Sequence, residues 1–136
     1  MCCTPQSQKL SPLDDLTSRI DAVAKTKARL EQEIHSILAQ GKVAPASCWI
    51  VRYQAKGRAD NYWYYKLQAS SPIFSTKTDG KLSRYQHLAK AGSPAYLDAL
   101  EQITRRAKIE ALDRSIESLN LGLKDLIEET SKYRQQ

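Results

Sequence analysis

Apolar side chains recur at heptad spacing in two long segments of the chain, which predicts two coiled-coil helices. In the first segment the two seam positions hold Leu13, Ile20, Lys27 and Ile34, and Leu16, Val23, Leu30 and Ile37. In the second segment they hold Ile109, Ile116 and Leu123, and Leu112, Leu119 and Leu126. Lys27 interrupts the first seam with a charge, and we expect it to restrict register or partner at some cost in stability.

Serine followed by proline marks the start of each predicted helix, at Ser11 and at Ser93. Serine caps a helix and proline suits its first turn, so we place the helices at 11–41 and 93–133. Residues 1–10 are predicted to be a disordered tail. Because a compact insert separates the two helices, we expect them to pair antiparallel, as a helical hairpin.

A hairpin of two helices leaves the flanks of its seam exposed, so a homodimer or a larger helical bundle is expected. The side chains predicted to form the oligomer interface are apolar apart from one lysine. They are Leu16, Ile20, Val23, Lys27, Leu30, Ile116, Leu119 and Leu123.

Between the helices, residues 46–90 alternate between apolar or aromatic and polar side chains, a pattern typical of β-strands. Strands are expected at 47–56, 61–69, 73–76 and 81–88, with a hairpin loop at 57–60. The chain is therefore predicted to be α+β, with the antiparallel helical hairpin (coiled coil) flanking a small three- to four-stranded antiparallel β-meander.

The alternation also predicts what each face of the meander carries. One face is expected to hold the core side chains Trp49, Trp63, Tyr65 and Leu67. The opposite face is expected to be basic, with tyrosine between the charges, and to hold Arg52, Lys56, Tyr64, Lys66, Lys81 and Arg84.

Charge is concentrated in the same part of the chain. Residues 42–94 contain nine basic and two acidic side chains, a net charge of +7, whereas the segments on either side are close to neutral. A focused basic patch with interleaved tyrosines is suited to phosphate contact and stacking. The predicted nucleic-acid contacts are Arg52, Lys56, Arg58, Tyr64, Lys66, Lys81 and Arg84.

Other kinds of chemistry find little support in the sequence. There is no Cys or His spacing typical of a zinc site, no phosphate-binding loop and no paired carboxylates on the strands, so we expect no metal, no cofactor and no enzymatic activity. The chain has no apolar run of about 18 residues and no signal-peptide pattern at its start, which favours a cytoplasmic protein without a membrane partner. His35 and His87 are interpreted as a solvated and a structural histidine.

Three aromatic or glycine-containing motifs lie between residues 62 and 96, namely YWYYKL at 62–67, GKLSRY at 80–85 and KAGSPAY at 90–96, and Arg105-Arg106 follows them. Together they resemble the motifs of small uncharacterised bacterial proteins, many of them cyanobacterial. A weaker likeness is to the arm-binding domain of tyrosine recombinases, in which a three-stranded sheet backed by a helix contacts DNA. What this second resemblance implies is DNA contact by the sheet, without recombinase chemistry.

Two functions follow as hypotheses. The first is a nucleic-acid-binding protein, with double-stranded DNA as the favoured ligand and RNA as another, that dimerises through its coiled coil and acts as a small regulator or mobile-element accessory factor. The alternative is a protein–protein interaction or assembly module built on the coiled coil, in which the charge of the meander is incidental.

Overall fold

The computed structural model describes residues 11–134, and the predicted tail at 1–10 lies outside them. Two helices and five strands follow one another in the order α1 (Pro12–Gln40), β1 (Cys48–Lys56), β2 (Asn61–Ala69), β3 (Phe74–Ser75), β4 (Leu82–Ser83), β5 (Tyr85–Ala89) and α2 (Pro94–Arg134). The prediction of an α+β fold with two helices and a small antiparallel sheet is confirmed.

Both helices begin at the serine caps expected from the sequence. The backbone N–H of Asp14 donates to Ser11 Oγ over 3.1 Å, and that of Tyr96 donates to Ser93 Oγ over 3.2 Å. The Ser93 hydroxyl also donates to the carbonyl oxygen of Leu88 over 2.6 Å. A single side chain therefore caps α2 and ties its first turn to β5.

The strands form two sheets rather than the single meander predicted. β1, β2 and β5 make a three-stranded antiparallel sheet in the order β1-β2-β5, and β3 pairs separately with β4. The predicted fourth strand divides at Arg84, whose carbonyl oxygen accepts a hydrogen bond from the backbone of Ala69. Pro72, which cannot donate to a strand ladder, separates β3 from β2.

The described residues fall into two compact units. The sheet unit comprises residues 37–110, and the helical unit comprises α1 up to Ser36 together with α2 from Ala111. In the helical unit Leu16 and Thr130 are buried. Half-buried side chains recur at the seam positions, and they include Ile20, Val23, Lys27, Leu30, Ile34, Leu112, Ile116, Leu119, Leu123 and Leu126.

The core of the sheet unit lies between one face of the three-stranded sheet and the first turns of α2. Its buried members are Cys48, Leu67, Leu88 and Ala99, with Ile50, Tyr65, Phe74, Tyr96 and Ile103 packed around them. The rings of Tyr65 and Tyr96 meet edge to face, with their centroids 4.8 Å apart. We call this side of the sheet the core face.

The segment that leads into β1 is held against α2 by two consecutive arginines. Arg105 Nε donates to the carbonyl oxygen of Lys42 over 2.8 Å, and the Arg106 guanidinium donates to that of Pro45. These arginines lie between Ile103, which packs at the core, and Ile109, where the heptad of α2 begins. Their polar contacts position the segment that leads into the sheet.

The prediction that both tryptophans belong to the core is wrong. Tyr65 and Leu67 do pack there, but Trp49 is 43% exposed and Trp63 is 47% exposed. Pairing of Ile50 with Leu67 turns Ile50 inward, so its neighbour Trp49 lies on the opposite face. Trp63 shares the core face but lies closer to the loop at 57–60, outside the core cluster.

We predict that Leu67→Ala destabilises the sheet unit by about 2–5 kcal/mol, because it opens a cavity in the centre of the core. Urea unfolding followed by tryptophan fluorescence measures this, since Trp49 and Trp63 both report on the sheet. Leu97→Ala, the same substitution at an exposed position of α2, is the control and should cost about 0.5 kcal/mol or less. Equal losses from the two variants would contradict the assigned core.

We also predict that the Cys48 thiol makes stability fall at alkaline pH. Its side chain is 1% exposed, and burial raises the pKa of the thiol, although the nearby Arg106 guanidinium partly lowers it. The unfolded chain therefore loses this proton first, and stability falls as pH rises above about 8.5. Urea midpoints between about pH 7 and 10 should decline more steeply for the native chain than for Cys48→Ala, and parallel curves would contradict the prediction.

Candidate nucleic-acid interface

The sheet face opposite the core carries most of the aromatic side chains of the sheet unit. Residues paired directly across antiparallel strands point to the same side, so the register assigns each side chain to a face. We call this second side the open face. It consists of Trp49, Val51, Tyr53 and Ala55 from β1, Tyr62, Tyr64, Lys66 and Gln68 from β2, and Tyr85 and His87 from β5.

Lys66 lies at the centre of the open face. It pairs with Val51 on one side and with His87 on the other. Its Nζ is 4.9 Å from the ring centroid of Tyr53 and 4.3 Å from that of Tyr85. An ammonium group at this distance is attracted by the negative faces of both rings. The Lys66 ammonium is therefore held against the sheet surface, and the residue is half-buried there.

Tyr53 is held in place by neighbours on both other strands. Its ring stacks with that of Tyr64, with centroids 6.0 Å apart and an interplanar angle of 29°. Its hydroxyl lies 3.0 Å from Nδ1 of His87, a hydrogen-bonding distance. These contacts cross all three strands and join the aromatic side chains into one ordered surface.

An irregularity in β5 brings a second lysine onto this face. Lys66 pairs with His87 but Tyr65 pairs with Ala89, so β5 contains one extra residue at this point. Ala89 has a φ of 63°, the left-handed conformation common at bulges. The extra residue shifts the alternation of side chains by one position. Lys90 consequently reaches the open face, where its Nζ lies 4.6 Å from the ring centroid of Tyr62.

The hairpin loop at 57–60 positions Tyr62. The N–H of Gly57 donates to the carbonyl oxygen of Asp60 over 2.7 Å, which closes the loop. A Cβ atom at Gly57 would clash with Cε2 of Tyr62. The absence of a side chain at Gly57 therefore leaves room for the Tyr62 ring, which lies beside the Lys90 ammonium.

The prediction that one basic face gathers the charged residues is wrong. Arg52 and Lys56 lie on the core face, toward the loop, whereas Tyr64 and Lys66 lie on the open face. Arg52 stacks over Trp63, with its Cζ 4.0 Å from the ring centroid. Of the other predicted contacts, Arg58 is an exposed residue of the hairpin loop, and Lys81 and Arg84 flank β4 and are exposed.

Several residues of the open face were missed by the prediction, and they are Trp49, Tyr53, Tyr62, Tyr85, His87 and Lys90. A signal for the three that lie on β1 and β2 exists in the sequence. A four-residue loop at 57–60 makes Lys56 pair with Asn61, and counting outward from that pair gives the observed register. Counting residues from the loop does not place Lys90 on a face, because its position depends on the bulge in β5.

The open face is positively charged without local compensation. None of the residues assigned to it in the described part of the chain is acidic. The two carboxylates between residues 42 and 94 are Asp60 in the hairpin loop and Asp79 in the turn before β4. Lys66 and Lys90 therefore keep their charge available for an anionic ligand.

Two other findings concern the described residues. Within 11–134 no three or more His, Cys, Asp or Glu side chains lie together as a metal-binding group would require. Neither described helix contains an apolar stretch long enough to cross a membrane.

Comparisons of the chain with known protein families, with curated proteins and with solved structures found no match.

Proposed function

We propose that the chain binds nucleic acid through the open face of its sheet. The observation that carries the proposal is the combination on one exposed surface of four tyrosines, a tryptophan and two lysines without a carboxylate. Lysines contact phosphates and aromatic rings stack on bases, so this set of groups suits a nucleic acid better than a neutral or cationic ligand. Such a role fits a cytoplasmic protein.

The ammonium groups of the two lysines on the open face are not engaged by carboxylates among the described residues. Each ammonium lies over aromatic rings and has no carboxylate partner among the ion pairs of the described residues. Binding a phosphate would thus not require an existing salt bridge to break. The net charge of +7 between residues 42 and 94 adds long-range attraction for a polyanion.

The type of nucleic acid is less constrained than the sequence suggested. The expectation of duplex DNA comes from the likeness to a DNA-contacting sheet and from a basic face that holds Arg52, Lys56 and Lys66 together. The register separates the first two from Lys66, so the second of these grounds does not hold. The ligand is therefore proposed to be nucleic acid, without a choice between duplex and single strand at this point. Arg52, Lys56 and Arg58 would contact it only if it extended past the hairpin loop at 57–60.

We predict that Lys66→Glu weakens nucleic-acid binding more than Lys56→Glu does. The two substitutions are chemically identical but lie on opposite faces of the same hairpin. Loss of one phosphate contact should reduce the slope of log affinity against log salt by about 0.7 for a single strand or 0.9 for a duplex. Fluorescence anisotropy with labelled random-sequence single strands and duplexes, between about 50 and 200 mM salt, measures both quantities.

Two further variants complete this experiment. Lys66→Gln removes the charge without reversing it and should give a smaller loss of the same kind, with circular dichroism as a check on folding. Reversal of Lys25 and Lys124, which lie on α1 and α2, should change neither affinity nor slope. Equal losses from Lys56→Glu and Lys66→Glu would indicate diffuse attraction, and no binding at low salt would contradict the proposal.

The helical unit supports a second candidate function, that of an assembly module. Its seam residues are mostly half-buried, and within the described part of this unit Leu16 and Thr130 alone are buried. When a partner covers half-buried aliphatic side chains, the additional apolar burial stabilises the assembly. We propose that the two helices pair as an antiparallel coiled-coil hairpin and that a second copy of the chain covers the remaining seam surface. In this arrangement Lys27 would limit which registers are allowed.

We predict that cysteines placed at Val23 and Leu123 form a disulfide within one chain. Both positions are half-buried seam positions of the helical unit, and an antiparallel pairing that brings Leu16 near Thr130 also brings these two together. The experiment uses a chain in which Cys2, Cys3 and Cys48 are replaced by serine, serine and alanine. Mass spectrometry after oxidation should identify an intramolecular link, and mass photometry or ultracentrifugation gives the oligomeric state.

A matched control places the second cysteine at Leu121, an exposed position of the same helix. This pair should not form the intramolecular link. Links found only between chains would replace the hairpin with an exchanged or parallel arrangement. A strictly monomeric native chain would contradict the proposed dimer.

A further inference from the structure

We infer that the nucleic acid bound by the open face is single-stranded, with unstacked bases lying on its tyrosine rings. This inference rests on the function proposed above and adds the class of ligand. It covers single-stranded RNA and single-stranded DNA, which share the same bases and phosphates.

The rings are accessible from solvent, although they belong to an ordered sheet. Trp49 is 43% exposed, Tyr62 37% and Tyr85 41%, and each comes from a different strand. Exposed aromatic clusters on a folded domain commonly mark interaction sites. Because all three strands contribute, the exposed rings extend across the whole width of the sheet.

The spacing of these side chains suits bases that have left a stack. Tyr62, Tyr64 and Lys66 are alternate residues of β2, so neighbouring members are separated by about 6.8 Å along the strand. Successive nucleotides in a stacked strand are about 3.4 Å apart. A strand that places successive bases on successive side chains must therefore unstack, which a single strand can do and a duplex cannot without losing its pairing.

The functional groups on this face also favour stacking over groove reading. Side chains that read base edges in a duplex are chiefly arginine, asparagine, glutamine and lysine in extended conformations. Among the described open-face residues, Gln68 supplies the one amide, and the ammonium of Lys66 lies against rings. Aromatic platforms flanked by basic groups are the general solution for binding single strands.

The two lysines complete the arrangement. Lys66 lies near the rings of Tyr53 and Tyr85, and Lys90 near those of Tyr62 and Tyr64. When a base takes the ring face, the flexible lysine stem allows the ammonium to move onto the adjoining phosphate. Each lysine and its rings thus form one unit that can hold one base and one phosphate.

The inference is tested by anisotropy with four labelled probes of about 15 nucleotides: single-stranded DNA, single-stranded RNA, the matching duplex, and an abasic deoxyribose-phosphate strand. We expect at least one single strand to bind about tenfold or more tightly than both the duplex and the abasic strand. Tyr62→Leu and Tyr85→Leu should each weaken single-strand binding by about 5- to 150-fold while leaving the salt slope unchanged.

Tyr133→Leu is the matched control, since this tyrosine is 45% exposed but lies on α2. It should bind like the native chain, and tryptophan fluorescence of each variant verifies that the sheet is folded. Duplex binding that equals or exceeds single-strand binding, with Lys66 still required, would overturn this inference and leave the proposed function intact. Equal binding of the abasic strand would also overturn it. Absence of binding to all four probes at low salt would instead refute the proposed function.

Discussion

The pairing of β1 with β2 is the constraint on which the candidate interface depends. The four-residue loop at 57–60 is closed by a hydrogen bond from Gly57 to Asp60, and it sets which residues face one another along nine consecutive pairs. A shift of one residue would move Ile50 out of the core and exchange the side chains of the two faces. Burial of Leu67 and Cys48 against α2 therefore stabilises the register, and the register in turn leaves the tyrosines exposed.

Two faces of one sheet thus have different stabilising interactions. The core face gains free energy from apolar burial, to which Leu67 and Leu88 contribute about 1.5–3 kcal/mol each before chain entropy is subtracted. The open face is held by ring stacking, cation–π contacts and one tyrosine–histidine hydrogen bond. Those interactions are individually weaker and lie at the solvent boundary, so they can be lost without loss of the core.

The sequence predicts the elements of this protein better than it predicts their arrangement. Serine caps at Ser11 and Ser93 and the alternation of the strands locate both helices and the two long strands, because those signals are local. The assignment of faces failed because it combined Trp49 with Trp63 without counting through the loop. The division of the last predicted strand at Arg84 and the bulge at Ala89 depend on tertiary contacts, which no local pattern records. Lys90 was consequently absent from the predicted site.

Ala89, the residue of the bulge with a left-handed backbone, fixes the direction in which the chain leaves β5. In the left-handed region alanine is less stable than glycine by about 1 kcal/mol. Glycine at position 89 would, however, also allow many other backbone directions. Alanine leaves few alternatives once the Ser93 hydroxyl has anchored the carbonyl of Leu88. The backbone that connects β5 to α2 is thereby preorganised, and the entropy of ordering it is lost during folding.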